Sequence, residues 1–415
     1  MRRLLVRCDI DRAAPFATSS PDRYLAVHEP AKSLPRLCVC HSSIGVSFPF
    51  WMTGHDEEEK MANMLGIAPK SPRFIGADEL EAMGAELAIA ELHEAIESAW
   101  LDIRSGVAFG GKAVMSLPEG DFWAASGFGE WEKRFSGERL GWKLSALYSV
   151  NARYGGVKVI GANAFNRERG LPRSTSTFVL MEKFSLRPLA ILDATSLSSA
   201  RTGVYASEVF RRCLRDRPVE SVFVFGAGPV ARSVVSALAF CAGARIAQVY
   251  VRSRTARGAE ALARDFRGRT PFRVEAVTDN EKLAEASFVV TATNARGPVF
   301  DDHELHPAAV TLHLGGDEVP AATLQRVLRR GRVACDDMKT VSRRNSQSLA
   351  LHFSRQGMTL EAVGPLLGIL ELSAPEEWAI DPQEPVSITC VGLPMLDLYT
   401  VQAVYEKYLK LSGEA

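Results

Sequence analysis

The sequence predicts an α/β protein of two unlike parts: a doubly wound parallel sheet in its second half, and a second α+β part assembled from both chain ends. Three observations carry this. Short apolar runs at 221–225, 247–251, 273–277, 287–291, 309–313 and 332–336 alternate with helical stretches, the rhythm of parallel strands joined by crossover helices. Between about 107 and 195 the apolar runs are instead broken only by Gly, Asn and Pro, as in a mostly antiparallel sheet. Finally, 415 residues exceed what one hydrophobic core usually organises.

Taken in order, residues 1–72 form an extension without an assigned role, where Pro15, Pro21, Pro30, Pro35 and Pro49 spoil long helices. A helix follows, with Asp78 and Glu81 spaced as a capping box. Leu80, Met83, Leu87, Leu92, Ile96, Trp100 and Ile103 recur along it at helical spacing, and Gly106 ends it. Strands are expected at 144–150, 157–160, 176–181 and 188–193, then a helix at 198–215. After about 345 the alternation stops. Pro365, Pro375, Pro382 and Pro385 puncture a loop-rich tail, and a last helix at 396–410 is expected to return to the first part. The chain is thus divided into 73–200 with 346–415, and 201–345.

Composition narrows the function. Lys+Arg and Asp+Glu both number 49, so the electrostatic driving force for nucleic acid or an anionic membrane is missing. The seven cysteines lack paired spacing, which points to a reducing cytoplasm rather than a disulfide framework. Cys38-Val39-Cys40-His41 could be half of a metal site, but no second cluster completes it, and no metal is expected. Arg7, Asp9, Asp11 and Arg12 interrupt any apolar signal core, and no run of eighteen apolar residues occurs. A soluble cytoplasmic protein is expected.

The strongest local signal lies between the strand at 221–225 and the helix that starts at Pro229. Gly226-Ala227-Gly228-Pro229-Val230-Ala231 reads G-x-G-x-x-A. The first glycine permits a tight turn, the second lets the backbone approach a pyrophosphate, and the helix N-terminus offers free N–H groups. This is the glycine loop of a Rossmann-type domain, and a nicotinamide dinucleotide is the expected cofactor. At the end of the next strand, where an acid would bond a free ribose 2′-hydroxyl, the chain carries Arg252-Ser253-Arg254-Thr255. Guanidiniums and hydroxyls there favour NADP(H) over NAD(H), the alternative being a solvated basic loop.

Five further segments and the glycine loop occur in a characteristic order: Gly156-Val157-Lys158, Gly170-Leu171-Pro172, Ala200-Arg201-Thr202-Gly203, the glycine loop, Thr291-Ala292-Thr293 and Gly315-Gly316-Asp317. Together they resemble the ornithine cyclodeaminase/μ-crystallin family over roughly residues 75 to 410. The resemblance implies a homodimer formed through the part built from both chain ends. It implies a catalytic lysine at Lys158, an arginine for the substrate carboxylate at Arg201 and an acid–base at Asp317. Thr202, Thr291, Ala292, Thr293 and Gly315 become cofactor contacts, and Lys112, Arg173 and Val391 further substrate contacts. The chemistry agrees: oxidising a C–N bond beside a carboxylate needs a cation for that carboxylate, a proton carrier and a positioned charge on the imine.

The chain departs from the family in places. Ser116-Leu117-Pro118-Glu119 stands where a basic residue is usual, leaving Lys112, Lys143 and Arg173 as candidates for a carboxylate-binding cation. Glu318-Val319-Pro320-Ala321 follows Asp317 in place of Pro-Gly-Lys. Gly170-Leu171-Pro172-Arg173 and Cys335-Asp336-Asp337, with Arg343 and Gln347, are closer to the branch whose dehydrogenases release 2,3-diaminopropionate from a glutamate adduct. The expected function is an NAD(P)-dependent dehydrogenase or imine reductase acting at the C–N bond of an amino acid, cyclic imine or amino-acid adduct. A proline-forming cyclodeaminase and a non-catalytic NADPH-binding protein are the alternatives.

Overall fold

The computed structural model describes residues 71–414 except Ser126 and Glu377. The Cys38–His41 cluster lies outside them. The first sheet has six strands: β1 (Arg73–Ile75), β2 (Phe109–Ser116), β3 (Lys143–Val150), β4 (Tyr154–Ala162), β5 (Ser174–Glu182) and β6 (Pro188–Asp193), in the order β1-β6-β5-β4-β3-β2. Strands β2 to β6 form an antiparallel meander, and β1 joins parallel to β6. Residues along β3 alternate in burial, as a sheet with one covered face requires.

The covered face packs on helix Pro394–Leu411, whose first two turns are almost wholly buried. Phe178 and Leu180 of β5 meet Leu398 and Val401 of that helix in one apolar cluster. The opposite face is apolar and open. Phe109, Tyr148 and Val159, on the adjacent strands β2, β3 and β4, are 63%, 54% and 42% exposed, and Phe74 on the far edge strand β1 is 73% exposed. The Tyr148 ring lies against Gly111 of β2, where any side chain would collide with it.

The second sheet has eight strands, all parallel: β7 (Ser221–Phe225), β8 (Gln248–Arg252), β9 (Arg273–Ala276), β10 (Phe288–Thr291), β11 (Val310–His313), β12 (Arg332–Cys335), β13 (Leu370–Glu371) and β14 (Val386–Thr389). Their order is β13-β12-β14-β11-β10-β7-β8-β9. Strands β7, β10, β11 and β14 are buried on both faces, which explains the apolar runs Val222–Phe225 and Phe288–Val290 of the first two. Val222, Val224, Phe288 and Val290 enter one core layer, while Phe223, Phe225 and Val289 enter the other. From β7 the chain winds outward to β8 and β9, then crosses back to β10 on the other side of β7. Ligands of such sheets bind at this reversal, beyond the strands' carboxyl ends.

Several expectations are redrawn. The helix near 78–106 is two, Ala77–Met83 and Ile89–Arg104, because Gly84 adopts a left-handed conformation (φ 66°) and caps the first. Its N-cap is Gly76, with no side-chain cap from Asp78. The helix at 198–215 is also divided, into Thr195–Gly203 and Tyr205–Cys213. The tail at 346–389 does not stay with the first sheet: β14 inserts between β11 and β12, so only the last helix returns. Short strands of four and two residues, separated by proline-rich loop, give little periodicity to read. Among the described residues no helix is long and apolar enough to cross a membrane.

Candidate active site

A cleft of about 1960 Å³ opens at the β7/β10 reversal, between the two sheets. One drug-sized ligand occupies about 300–1,000 Å³, so the cleft has room for a dinucleotide and a small substrate together. Gly226 follows β7 with φ 113°, a conformation open to glycine. A Cβ on it would come within 2.4 Å of the Ala292 carbonyl oxygen, so the loop after β10 can approach this closely only where residue 226 has no side chain. Gly228 is the N-cap of helix Pro229–Cys241, and where its Cβ would stand nothing lies within 4 Å. Open space at a helix N-terminus, faced by unpaired first-turn N–H groups, suits a pyrophosphate. Ala227, Pro229 and Val230 line the same wall.

The residues after β8 divide. Arg252 donates to the Thr278 carbonyl (3.2 Å), Asn280 Oδ1 (2.7 Å) and the Val299 carbonyl (3.4 Å), so its guanidinium braces neighbouring loops. Ser253 donates to the Thr255 carbonyl at 2.7 Å. Arg254 stays on the cleft rim with its side chain 62% exposed, 3.6 Å from Glu138.

Lys158 sits in the middle of β4, flanked by Leu147 of β3 and Phe178 of β5, and is only 1% exposed. Its ammonium donates to Asp397 Oδ1 (2.7 Å) and Ser198 Oγ (3.0 Å). Arg201, on helix Thr195–Gly203, donates to the same carboxylate through Nε (2.7 Å) and Nη2 (3.3 Å). Its Nη1 is buried without a partner. Burial pushes the Lys158 ammonium down to about 8 against the opposing pull of Asp397. Burial also opposes ionisation of Asp397, but Arg201 and Lys158 together hold it below the usual carboxylate range. Two cations thus share one buried anion. Sequence reasoning missed Asp397, although a lone acid in the apolar run Pro394-Met395-Leu396-Asp397-Leu398-Tyr399 was a readable signal.

A second group of cations surrounds the first. Lys112 lies across Leu147 from Lys158, and Lys143 is on the same face further along β3. Arg344 ends helix Met338–Arg344 and donates to the Val391 carbonyl at 3.0 Å. Arg173 donates to Asn294 at 2.8 Å, and Arg139 packs on Gly316. Val391 itself donates its N–H to Asp336 (2.9 Å), a carboxylate also bonded by Gly392 N–H and the Tyr205 hydroxyl. Burial raises Asp336 to about 6. Arg344 and Arg139 carried no local sequence signal, since loop and helix-end placement brings them to the cleft.

The remaining predicted residues brace the cleft from behind. The Thr291 hydroxyl donates to Glu318 Oε2 (2.9 Å) and contacts His313 (3.0 Å). Thr293 bonds Glu318 through its N–H (2.6 Å) and its hydroxyl. Thr202 donates to the Ser198 carbonyl at 2.7 Å. Ala292, Thr293 and Gly315 reach the cleft wall. A Cβ on Gly315 would strike the Glu318 carboxylate. Asp317 accepts from Ser348 Oγ (3.0 Å) and pairs with Arg355, whose side chain is 61% exposed. Among the described residues no cluster of His, Cys, Asp and Glu is arranged to hold a metal.

The model of the ornithine cyclodeaminase/mu-crystallin family matches residues 138–411, two thirds of the chain. The chain belongs to that family. Its relatives include an uncharacterized cyclodeaminase of Dictyostelium discoideum, 27% identical over 36% of this chain and 44% of the relative's length. The chain therefore spans less than half of that protein. Solved structures are also similar in fold. The Thermococcus litoralis Delta(1)-pyrroline-2-carboxylate reductase, in complex with NADH and L-proline, matches 81% of this chain and 98% of its own at TM-score 0.67 and 18% identity. An archaeal alanine dehydrogenase dimer with bound NAD matches 82% and 96% at TM-score 0.64 and 19% identity. At these identities the likeness establishes the shared two-part α/β fold.

Proposed function

We propose that this protein is an NAD(P)-dependent oxidoreductase that interconverts an amino acid, or an N-substituted amino acid, with its imine. The observation that carries the reading is the buried Lys158–Asp397–Arg201 triad beside a cleft whose glycine loop suits a pyrophosphate. The nicotinamide, when bound, donates or accepts the hydride. In the reductive direction the α-carbon gains that hydride, the imine nitrogen gains a proton, and the cofactor leaves oxidised. Lys158 Nζ, held near the neutral range, supplies a positive charge beside the imine nitrogen. Arg201 Nη1, the arm that Asp397 leaves uncommitted, orients the α-carboxylate. Asp317 is assigned the proton transfer. To reach the cleft it must leave both the exposed Arg355 and the Ser348 hydroxyl, since Asp317 itself is half-buried.

NADP(H) is assigned as the preferred cofactor, on Arg254 alone, because Arg252 is engaged by loop acceptors. The exposed apolar face around Tyr148 and Val159 is assigned to a second copy of the chain, as the dimeric state of the structurally similar alanine dehydrogenase suggests.

The decisive assay follows nicotinamide absorbance and ammonia in parallel, with NADPH or NADH and a panel of 2-oxo acids mixed with amines. The reading predicts stoichiometric NADPH consumption with some member of the panel. Ammonia release from a diamino acid without net absorbance change would instead identify a cyclodeaminase. Arg254→Ala should lower the NADPH-to-NADH ratio of kcat/KM at least tenfold; an unaltered ratio removes the 2′-phosphate assignment.

A further inference from the structure

The walls of the cleft carry more positive charge than a simple amino acid needs. Lys112 and Lys158 stand on one face of the first sheet, separated by Leu147, about 10 Å apart across two strand spacings. Lys143 projects from the same face at the cleft end of β3, and helix Met338–Arg344 packs over β2 and brings Arg344 beside it. Arg139 and Arg173 close the ring from the loops that precede β3 and β5.

The anions nearby are already engaged. Asp397 is taken by Lys158 and Arg201, Glu138 pairs with Arg167 and Arg254, and Asp336 is bonded by Tyr205 and two backbone N–H groups. Among the described residues Lys112, Lys143, Arg139, Arg173 and Arg344 form no ion pair. The Nε atoms of Arg139 and Arg173 are buried without an acceptor. This crowding is destabilising by itself: Arg344 and burial push Lys143 well down from the ordinary lysine value, and burial and Arg344 do the same to Lys112. The glycine loop, where the dinucleotide phosphates are placed, follows β7, whereas Lys112, Lys143 and Arg344 gather at β2 and β3, so the cofactor's charge is not what these three await.

We infer that the substrate carries at least one carboxylate beyond its α-carboxylate, and that Lys143 and Arg344, with Lys112, Arg139 and Arg173 around them, bind it. The inference rests on the oxidoreductase reading for the position of the α-carboxylate, and it narrows the substrate to dicarboxylic or larger amino-acid imines. An amide in place of the second carboxylate leaves the cations unneutralised and should be rejected strongly.

The test compares 2-oxoglutarate with its side-chain monoamide, each mixed with amines and NADPH, and measures in parallel how each compound shifts the melting temperature of the NADPH-bound protein. The dicarboxylate should exceed the amide at least a hundredfold in kcat/KM and stabilise the protein at lower concentration. In Lys143→Met and Arg344→Met that ratio should collapse toward one, mainly through KM, while the NADPH dissociation constant moves less than threefold. Lys143→Arg should restore most of the ratio, which a merely structural lysine would not require. Equal use and equal binding of the two compounds by the wild type would overturn the inference while leaving the oxidoreductase reading intact. Dicarboxylate binding that depends on Lys143, without turnover of any compound, would sustain the inference and sink the reading.

Discussion

Two neighbouring sets of cations lie beside one cleft and differ in a single respect. Lys158 and Arg201 converge on the buried carboxylate of Asp397. Lys112, Lys143 and Arg344 crowd together a few side chains away and form no ion pair among the described residues, with only Asp336 behind Arg344 drawing on their charge. The first set is preorganised by the fold, since its charge is balanced before any ligand arrives. The second is balanced only in part by Asp336, and repulsion between its lysines and Arg344 is relieved further by an anion from outside. Fixed charge beside the reacting centre and unsatisfied charge at the cleft wall are what orientation and recognition respectively need.

Removing the shared anion should have the largest effect. Asp397→Asn leaves two buried cations facing each other, and about 3–5 kcal/mol of stability should be lost in a denaturant titration. A loss under about 1 kcal/mol would mean that Lys158 and Arg201 are not held by that carboxylate. Lys143→Met should behave oppositely, with stability equal to or above wild type, because it relieves repulsion.

Next in size is the effect of Lys158 on turnover. Lys158→Met should reduce imine reduction about 10²–10⁴-fold, the usual worth of a positioned acid or charge. The wild-type rate carries a sign as well. Burial holds the ammonium at about 8, so the charged form is present below that pH and lost above it. Imine reduction should therefore fall as pH rises through about 8. A flat profile from pH 7 to 9.5, with chemistry rate-limiting, would remove Lys158 from that role.

The smallest effect concerns Asp317. Arg355→Ala should cost about 1 kcal/mol or less in stability, because Arg355 is exposed and water can replace it beside the half-buried Asp317. A larger loss would show that Asp317 is held too firmly to turn toward the cleft.

The same contrast explains what could be read in advance. Gly226 was legible because its backbone and the Ala292 carbonyl forbid a side chain, a demand that shows directly as residue type. The strands around it were legible because burial on both faces leaves unbroken apolar runs. Lys158 was visible only through the order of family motifs, since a lysine in a strand ordinarily points to solvent. Arg252 was read as a cofactor contact, yet its acceptors lie 26 to 47 residues away, a distance that no local pattern encodes. Arg344 and Arg139 escaped for the same reason. A surface cation and a cleft cation look alike in sequence, and only the packing of distant loops separates them. Asp397 was within reach, because an acid surrounded by apolar neighbours on a buried helix must have a partner.

The central claim is that the cleft sets the nicotinamide directly against the carbon bearing the amine. Reduction of an accepted 2-oxo acid and amine mixture with NADPH deuterated at nicotinamide C4, followed by mass spectrometry of the product, tests it. The account predicts one deuterium retained at the α-carbon, from one of the two C4 positions only. A product without label from either C4 position would contradict it.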